Sequence, residues 1–343
     1  MGIRAWKRRF RRMAEARLRS AAAPPGLRVP AARQGTGLWS EAREVKANDP
    51  VPALYAICSE FDPVEVVLRH AVDGQRPENG FILNFLGTRI VADVFPPILS
   101  PMVGTVEPAP NPGNWHADIA EWASGLRAVD MSGEVFRIVE LGCGWGCWMS
   151  NMGVAARRTG RKVDLIGVEG VGSHLANAVK VLEMNGFAKD EYRLVHGVAG
   201  PEPGKAIFPD PEVGTAEWGG EAIFYPDEET LAAASRDPGV RILDCYTLEM
   251  LSGGKPVDLL HIDIQGAEAD FVRANLSQMN RFVRRVLIGT HGRAIEADLL
   301  GLFQDAGWRM ETDRPAFAPL QRGRPVLHID GVQLWANDAL DPG

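Results

Sequence analysis

Glycines stand at every second position in Gly142-Cys143-Gly144-Trp145-Gly146, directly after the largely apolar run Phe136-Arg137-Ile138-Val139-Glu140-Leu141. At a strand-to-helix turn, residues without a Cβ allow positive φ and close approach of backbone to a ligand. The helix expected over 147–158 then offers its free N–H groups to the ligand's polar end. A dinucleotide fingerprint, G-x-G-x-x-G counted from Gly142, would need glycine at 147, where the chain has Cys147. A second apolar run, Val163-Asp164-Leu165-Ile166-Gly167-Val168, ends at Glu169, 23 residues beyond Gly146. A carboxylate there can accept hydrogen bonds from two ribose hydroxyls. Glu140, Gly142, Gly144, Gly146 and Glu169 are thus candidates for holding a nucleoside cofactor. A third strand over 192–197 adds His196 and Gly197 at the nucleobase edge.

Two more strand ends carry reactive side chains. Pro256-Val257-Asp258-Leu259-Leu260-His261-Ile262 runs into Asp263, and Val286-Leu287-Ile288-Gly289-Thr290 runs into His291. In an open parallel sheet, ligands sit outside the carboxyl ends of the strands, so both residues are expected to face one cleft. Imidazole titrates near neutral pH, which makes His291 the general-base candidate for an acceptor hydroxyl. Asp263 would orient the acceptor, orient His291, or contact an amino group of the cofactor; a turn cap through the 266–267 N–H groups explains it equally well. Asp263, Glu268 and His291 could also supply hard ligands to Mg2+. Glu268 is more simply a first-turn helix acid, and no metal is assigned.

Helices between the strands must position these groups. Ser173 is expected to cap a helix with an apolar face of Leu175, Ala178, Val179 and Leu182. Ile295, Leu299, Leu302 and Phe303 mark another, ending at Gly307.

The pattern E-x-G-x-G-x-G resembles motif I of the class I S-adenosyl-L-methionine methyltransferases. Thr247-Leu248-Glu249-Met250-Leu251, followed by His261-Ile262-Asp263-Ile264-Gln265-Gly266-Ala267-Glu268, resembles the FkbM family signature, T-L-x-x-L and then K-I-D-V-E-G-x-E. The similarity covers residues 134–337, with His261 in place of the lysine, Gln265 in place of a glutamate, and a glycine turn unlike the family's G-A-N-x-G. The resemblance implies an α/β, Rossmann-like class I fold: a mostly parallel seven-stranded sheet whose last strand is antiparallel, with the closing hairpin over 308–312 and 331–336. It also implies S-adenosyl-L-methionine as cofactor and O-methylation of a hydroxyl on a glycan or polyketide-like small molecule by in-line transfer. A non-catalytic S-adenosylmethionine-binding scaffold and a Mg-assisted O-methyltransferase are the competing readings. No Asn/Asp-Pro-Pro-aromatic segment follows the fourth strand, and Cys245 lacks the Pro-Cys context of a cytosine-modifying nucleophile.

The 343 residues divide into a leader and linker (1–50), an N-terminal cap region (51–131) and the cofactor domain (132–343). The formal net charge is -7, yet residues 1–20 hold eight Lys and Arg against one Glu. Ile3, Trp6, Phe10 and Met13 recur there at helical spacing, which suits peripheral contact with an anionic membrane, a solvated leader, or a helix packed on the body. The acidic remainder argues against nucleic acid as a partner. The four cysteines, Cys58, Cys143, Cys147 and Cys245, form no zinc or disulfide pattern. No secretory signal is expected, and no apolar run reaches the roughly 18 residues of a membrane span. A cytoplasmic location follows, with membrane association on that face if the leader binds lipid. The sequence does not fix the oligomeric state.

Overall fold

The computed structural model describes residues 49–210, 220 and 222–340. The basic leader and most of the linker lie outside the described residues. The main sheet contains, in chain order, β1 (Cys58–Ser59), β2 (Val135–Leu141), β3 (Lys162–Glu169), β4 (Tyr192–His196), β5 (Leu259–Ile262), β6 (Arg285–Thr290), β7 (Arg309–Arg314) and β8 (Gly331–Ala336). Their spatial order is β1-β7-β8-β6-β5-β2-β3-β4. Strands β6, β5, β2, β3 and β4 pair in parallel, whereas β8 lies antiparallel between β6 and β7. This is the class I methyltransferase arrangement, enlarged by one strand. Eight strands replace the expected seven because Cys58 and Ser59 pair antiparallel with the free edge of β7.

The strands form where the chain is apolar on both faces, as buried parallel strands require. Side chains alternate across the sheet. Phe136, Ile138 and Leu165 enter one core with Trp122 and Met149, while Val139, Leu141 and Ile166 enter the other with Leu260, Ile288 and Phe303. Covering helices are α1 (Ile119–Asp130), α2 (Cys147–Arg158), α3 (Gly172–Met184), α4 (Glu268–Phe282) and α5 (Arg293–Asp305). Val66, Ile82, Phe85 and Leu86 from the N-terminal region join the same core as Trp122. Ser173 does not cap α3: the helix starts after Val171 with no side-chain cap, and the Glu169 carboxylate accepts the Val171 N–H instead. The segment after β4 builds a separate four-stranded sheet from Val198–Ala199, Gly204–Pro209, Ile223–Phe224 and Val240–Tyr246. Among the described residues no helix is long and apolar enough to cross a membrane.

Two buried ion pairs brace the far side of the sheet, and the first ties the N-terminal region to β7. Asp118 caps α1 in a reciprocal capping box with Glu121, and its carboxylate meets Arg314 at 2.7 Å. A β-bulge between Met310 and Thr312 leaves Glu311 as the extra residue, turned inward onto Arg285 at 2.9 Å; both side chains are almost fully buried. Arg309 reaches the same carboxylate at 3.4 Å. Removing one partner of a buried pair leaves an uncompensated charge at a cost of about 3–5 kcal/mol. Glu311→Ala should therefore lower unfolding stability by about that amount in urea titrations.

Candidate active site

The glycine turn joins β2 to α2 through three left-handed residues, with φ of +68° at Gly142, +53° at Gly144 and +74° at Gly146. At Gly142 the need is also steric. A Cβ there would stand 2.8 Å from the Asp263 carbonyl oxygen at the end of β5. Two carboxylates hold the turn. Glu140, buried, accepts from the Met149 N–H at 2.8 Å and the Trp148 N–H at 3.2 Å, and so takes up donors of the first turn of α2. Burial pushes its carboxyl up to about 8, against the opposing pull of those two N–H groups. Glu169 accepts from the Gly144 N–H and the Val171 N–H, each at 2.8 Å.

A cavity of about 670 Å3 opens along the carboxyl ends of the parallel strands. Gly142, Glu169, Gly197, Asp263 and His291 all line it, as their strand-end positions predict. Glu140, Gly144, Gly146 and His196 do not. Glu140 and Gly144 are spent inside the turn, and Gly146 forms the left-handed entry to α2. His196 ends edge strand β4, is exposed, and hydrogen-bonds through Nε2 with the Gly170 carbonyl at 3.0 Å; the nucleobase-side expectation is corrected for it. Phe208 lines the cavity beside Gly170, where a Cβ would meet its ring at 2.8 Å.

His291 sits between two acids. Its Nδ1 is 2.8 Å from Glu268 Oε1, and its Nε2 is 3.4 Å from Asp263 Oδ1. Burial alone would lower the imidazole's pKa, but Asp330, Glu268 and Asp263 outweigh it and push it up to about 10. Nδ1 is hydrogen-bonded to Glu268 and Nε2 faces Asp263, so the surrounding acids favour the charged ring. That environment counts against the expected general-base role for His291. Glu268 is also more than a first-turn acid, for it is fully buried and accepts from Gly266 N–H at 2.9 Å as well as facing His291. Asp263 opens on the cavity, and burial raises its carboxyl above the ordinary range. His261 is buried against Trp148, ring centroids 5.1 Å apart, and burial lowers it to about 3, so it is a neutral packing group.

Several wall residues escaped the sequence reading. Trp115 stacks on Trp145 at 6.0 Å, and His116 lies 5.9 Å from Trp148, together forming an aromatic wall. Trp145 and Trp148 stood inside the motif and so had a local signal. Trp115 and His116 had none; they stand on an irregular turn in which the Asn114 side chain accepts from the His116 and Ala117 N–H groups. Asp330 reaches His291 because β8 runs antiparallel with Gly331 opposite Thr290.

No family model matches the chain. A protein of Jannaschia sp. (strain CCS1) bearing the description "Putative methyltransferase" is 47% identical over 267 residues, which is 78% of this chain and 96% of that one. The chain belongs to this methyltransferase family. Among solved structures, the methyltransferase FkbM from Methylobacillus flagellatus KT is 10% identical, with a TM-score of 0.39 over 59% of this chain and 44% of that chain. The present methyltransferase thus spans less than half of that protein's length. The N-terminal domain of human METTL16 in complex with SAH is 12% identical, with a TM-score of 0.34 over 64% of this chain and 71% of that chain.

The geometry of the turn generates two tests. Gly142→Ala places a side chain in left-handed backbone and against the Asp263 carbonyl, and should cost about 1–2 kcal/mol for the backbone conformation alone, measured by denaturant unfolding. For Glu140 the unfolded chain releases its proton near 4.5, whereas the folded protein holds it until about 8. Folding stability should then fall as pH rises across that interval. Glu140→Gln should flatten the slope in thermal unfolding measured between pH 5 and 8.

Proposed function

We propose that this methyltransferase uses S-adenosyl-L-methionine and resembles the FkbM family in transferring the methyl group to a hydroxyl of a neutral acceptor, a glycan or polyketide-like molecule. The observation that carries the reading is one cavity lined by a nucleoside-type cradle, Gly142 with Glu169, and by Asp263 beside it. The residues fit the cofactor. Glu169 spends one hydrogen bond of each carboxylate oxygen on the turn and keeps further lone pairs for ribose hydroxyls. Gly197 and Val198 border the base side, with Phe208 available to stack. S-adenosylmethionine, when bound, supplies a methyl group on a sulfonium, and the protein's task is to align an acceptor oxygen with it.

The lining supports the acceptor class. Glu121, Glu169, Asp263, Asp270 and Asp330 face the cavity, and among its described lining residues there is no Lys or Arg. Such a wall disfavours polyanionic acceptors, which argues against nucleic acids and favours neutral polyhydroxyl compounds. The tryptophans offer flat apolar faces of the kind that pack on sugar rings. Asp263, open to the cavity at the end of β5, accepts the hydrogen bond of the acceptor hydroxyl and takes its proton as the methyl arrives. His291 holds Asp263 from behind.

Glu169→Ala should weaken S-adenosylmethionine binding roughly 10- to 150-fold, the worth of about 1.5–3 kcal/mol in charge-assisted hydrogen bonds, read by titration calorimetry. Binding of NADH without S-adenosylmethionine would overturn the cofactor. Label from radioactive S-adenosylmethionine should appear as a methyl ether on neutral oligosaccharide or glycolipid fractions. Label on nitrogen, carbon or RNA, located by mass spectrometry, would overturn the reaction class.

A further inference from the structure

The chain between β7 and β8 folds back on itself as a narrow finger. Leu320–Gln321 pairs antiparallel with Arg324–Pro325 across the two-residue turn Arg322-Gly323, where φ is +52° and +77°. Strand direction places this finger. β8 lies antiparallel to both β6 and β7, with Gly331 opposite Thr290, so the finger rises from the carboxyl edge of the sheet, on which the cavity opens. Asp330 at its base lines the cavity.

The base is anchored and the tip is bare. The Ala316 N–H donates to Glu296 at 2.6 Å, Arg314 donates to the Asp330 carbonyl at 2.6 Å, and the rings of Phe317 and His328 stack across the two arms. Residues 320–325, beyond these contacts, are all exposed. Leu320 keeps 66% of its surface in solvent, more than any other large apolar side chain among the described residues, and neither Arg322 nor Arg324 forms an ion pair among those residues. A lone exposed leucine is ordinary. Here it shares a fixed tip with two uncompensated cations, in a chain whose formal net charge is -7. The turn itself does not ask for Arg322, because the left-handed positions of such turns favour Asn, Asp or Gly. On the other flank of the same edge, beyond β4, Ile223, Phe224 and Tyr225 are also exposed.

We propose that the finger is a contact for an anionic lipid surface, on which the protein docks with its cavity edge toward the bilayer. Cations beside an apolar side chain match the boundary between phosphate headgroups and acyl chains: the arginines meet the phosphates and the leucine enters below them. A free polyanion such as RNA would use the two charges but not Leu320. The contact is separate from residues 1–20, which lie outside the described residues. In the proposed methyltransferase this orientation would bring the cavity to an acceptor carried on a lipid. That consequence rests on the methyltransferase reading; the contact itself does not.

The test uses the full chain without S-adenosylmethionine or acceptor. Cosedimentation with phosphatidylcholine vesicles containing phosphatidylglycerol should show binding that weakens in high salt and is lost on phosphatidylcholine alone. Arg322→Asn and Arg324→Gln should each weaken it about 5-fold, and Leu320→Gln should weaken it as well. Arg322→Asn should leave the unfolding midpoint unchanged or raised, since Asn suits the turn. An environment-sensitive fluorophore on Gln321→Cys, in a Cys58→Ser background that removes the exposed cysteine, should shift to the blue on the anionic vesicles. The same probe on Lys189→Cys, before β4 at the opposite edge of the sheet, should not shift. Equal shifts at the two positions, or none at 321, overturn the proposal. Vesicle binding unchanged in all three tip variants also overturns it, whether the finger then proves to bind RNA or nothing. Docking through the finger in a protein that transfers no methyl group sustains the contact and removes its proposed part in acceptor delivery.

Discussion

The turn after β2 can expose so much bare backbone because two buried carboxylates take up its amide hydrogens. A chain of glycines has no side chains with which to satisfy or shield its own N–H groups, and unpaired buried amides are expensive. Glu169 reaches across from the next strand to Gly144, and Glu140 reaches forward to Trp148 and Met149 at the start of α2. With the amides held, Gly142 can lie against the Asp263 carbonyl, and the ends of β2, β3 and β5 close into one rim. The cavity is the concave side of that rim. A side chain at Gly142 or loss of either acid would disturb the place where the strands meet, although none of these changes touches the core.

The neighbouring rim after β5 depends on a strained turn. Gln265 adopts φ of +59°, unusual for a residue with a side chain, between Asp263 and Glu268. Such a conformation costs of order 1–3 kcal/mol and persists where surrounding bonds enforce it. Here the Gln265 amide donates to Asp263, and the Gly266 N–H donates to Glu268. The family signature that this segment resembles has glutamate at the Gln265 position, which would set a third carboxylate beside Asp263. Glutamine replaces that repulsion with a hydrogen bond, and leaves Asp263 open toward the cavity.

Local pattern carried much of this arrangement. The β2 turn, Glu169, and the strand ends at Asp263 and His291 could be read because each combines an apolar run with a single polar residue at its carboxyl end, and parallel topology sends all such ends to one edge. Asp330 could not, because it reaches the cavity through an antiparallel register across β6, and Trp115 and His116 could not, because they stand on an irregular turn with no periodic signal. The eighth strand was hidden for a similar reason, since two residues at Cys58 and Ser59 carry no periodic signal. The protonation state of His291 was also out of reach. Position alone gave a histidine in a cleft, whereas its charge follows from three acids contributed by three other segments.

The distribution of charge bears on how the proposed transfer would run. Methyl transfer discharges a sulfonium and leaves the acceptor oxygen positive until its proton departs. Carboxylates gathered beside the sulfonium would favour the charged starting state and so oppose the reaction, because only interactions stronger in the transition state accelerate it. Glu140, the acid of the turn, retains its proton up to about 8 and so adds no full negative charge there at neutral pH. Asp263 and Asp330 line the cavity as fixed acids. Groups of that kind beside the acceptor favour the positive charge that grows on its oxygen, without having to reorganise as the methyl passes.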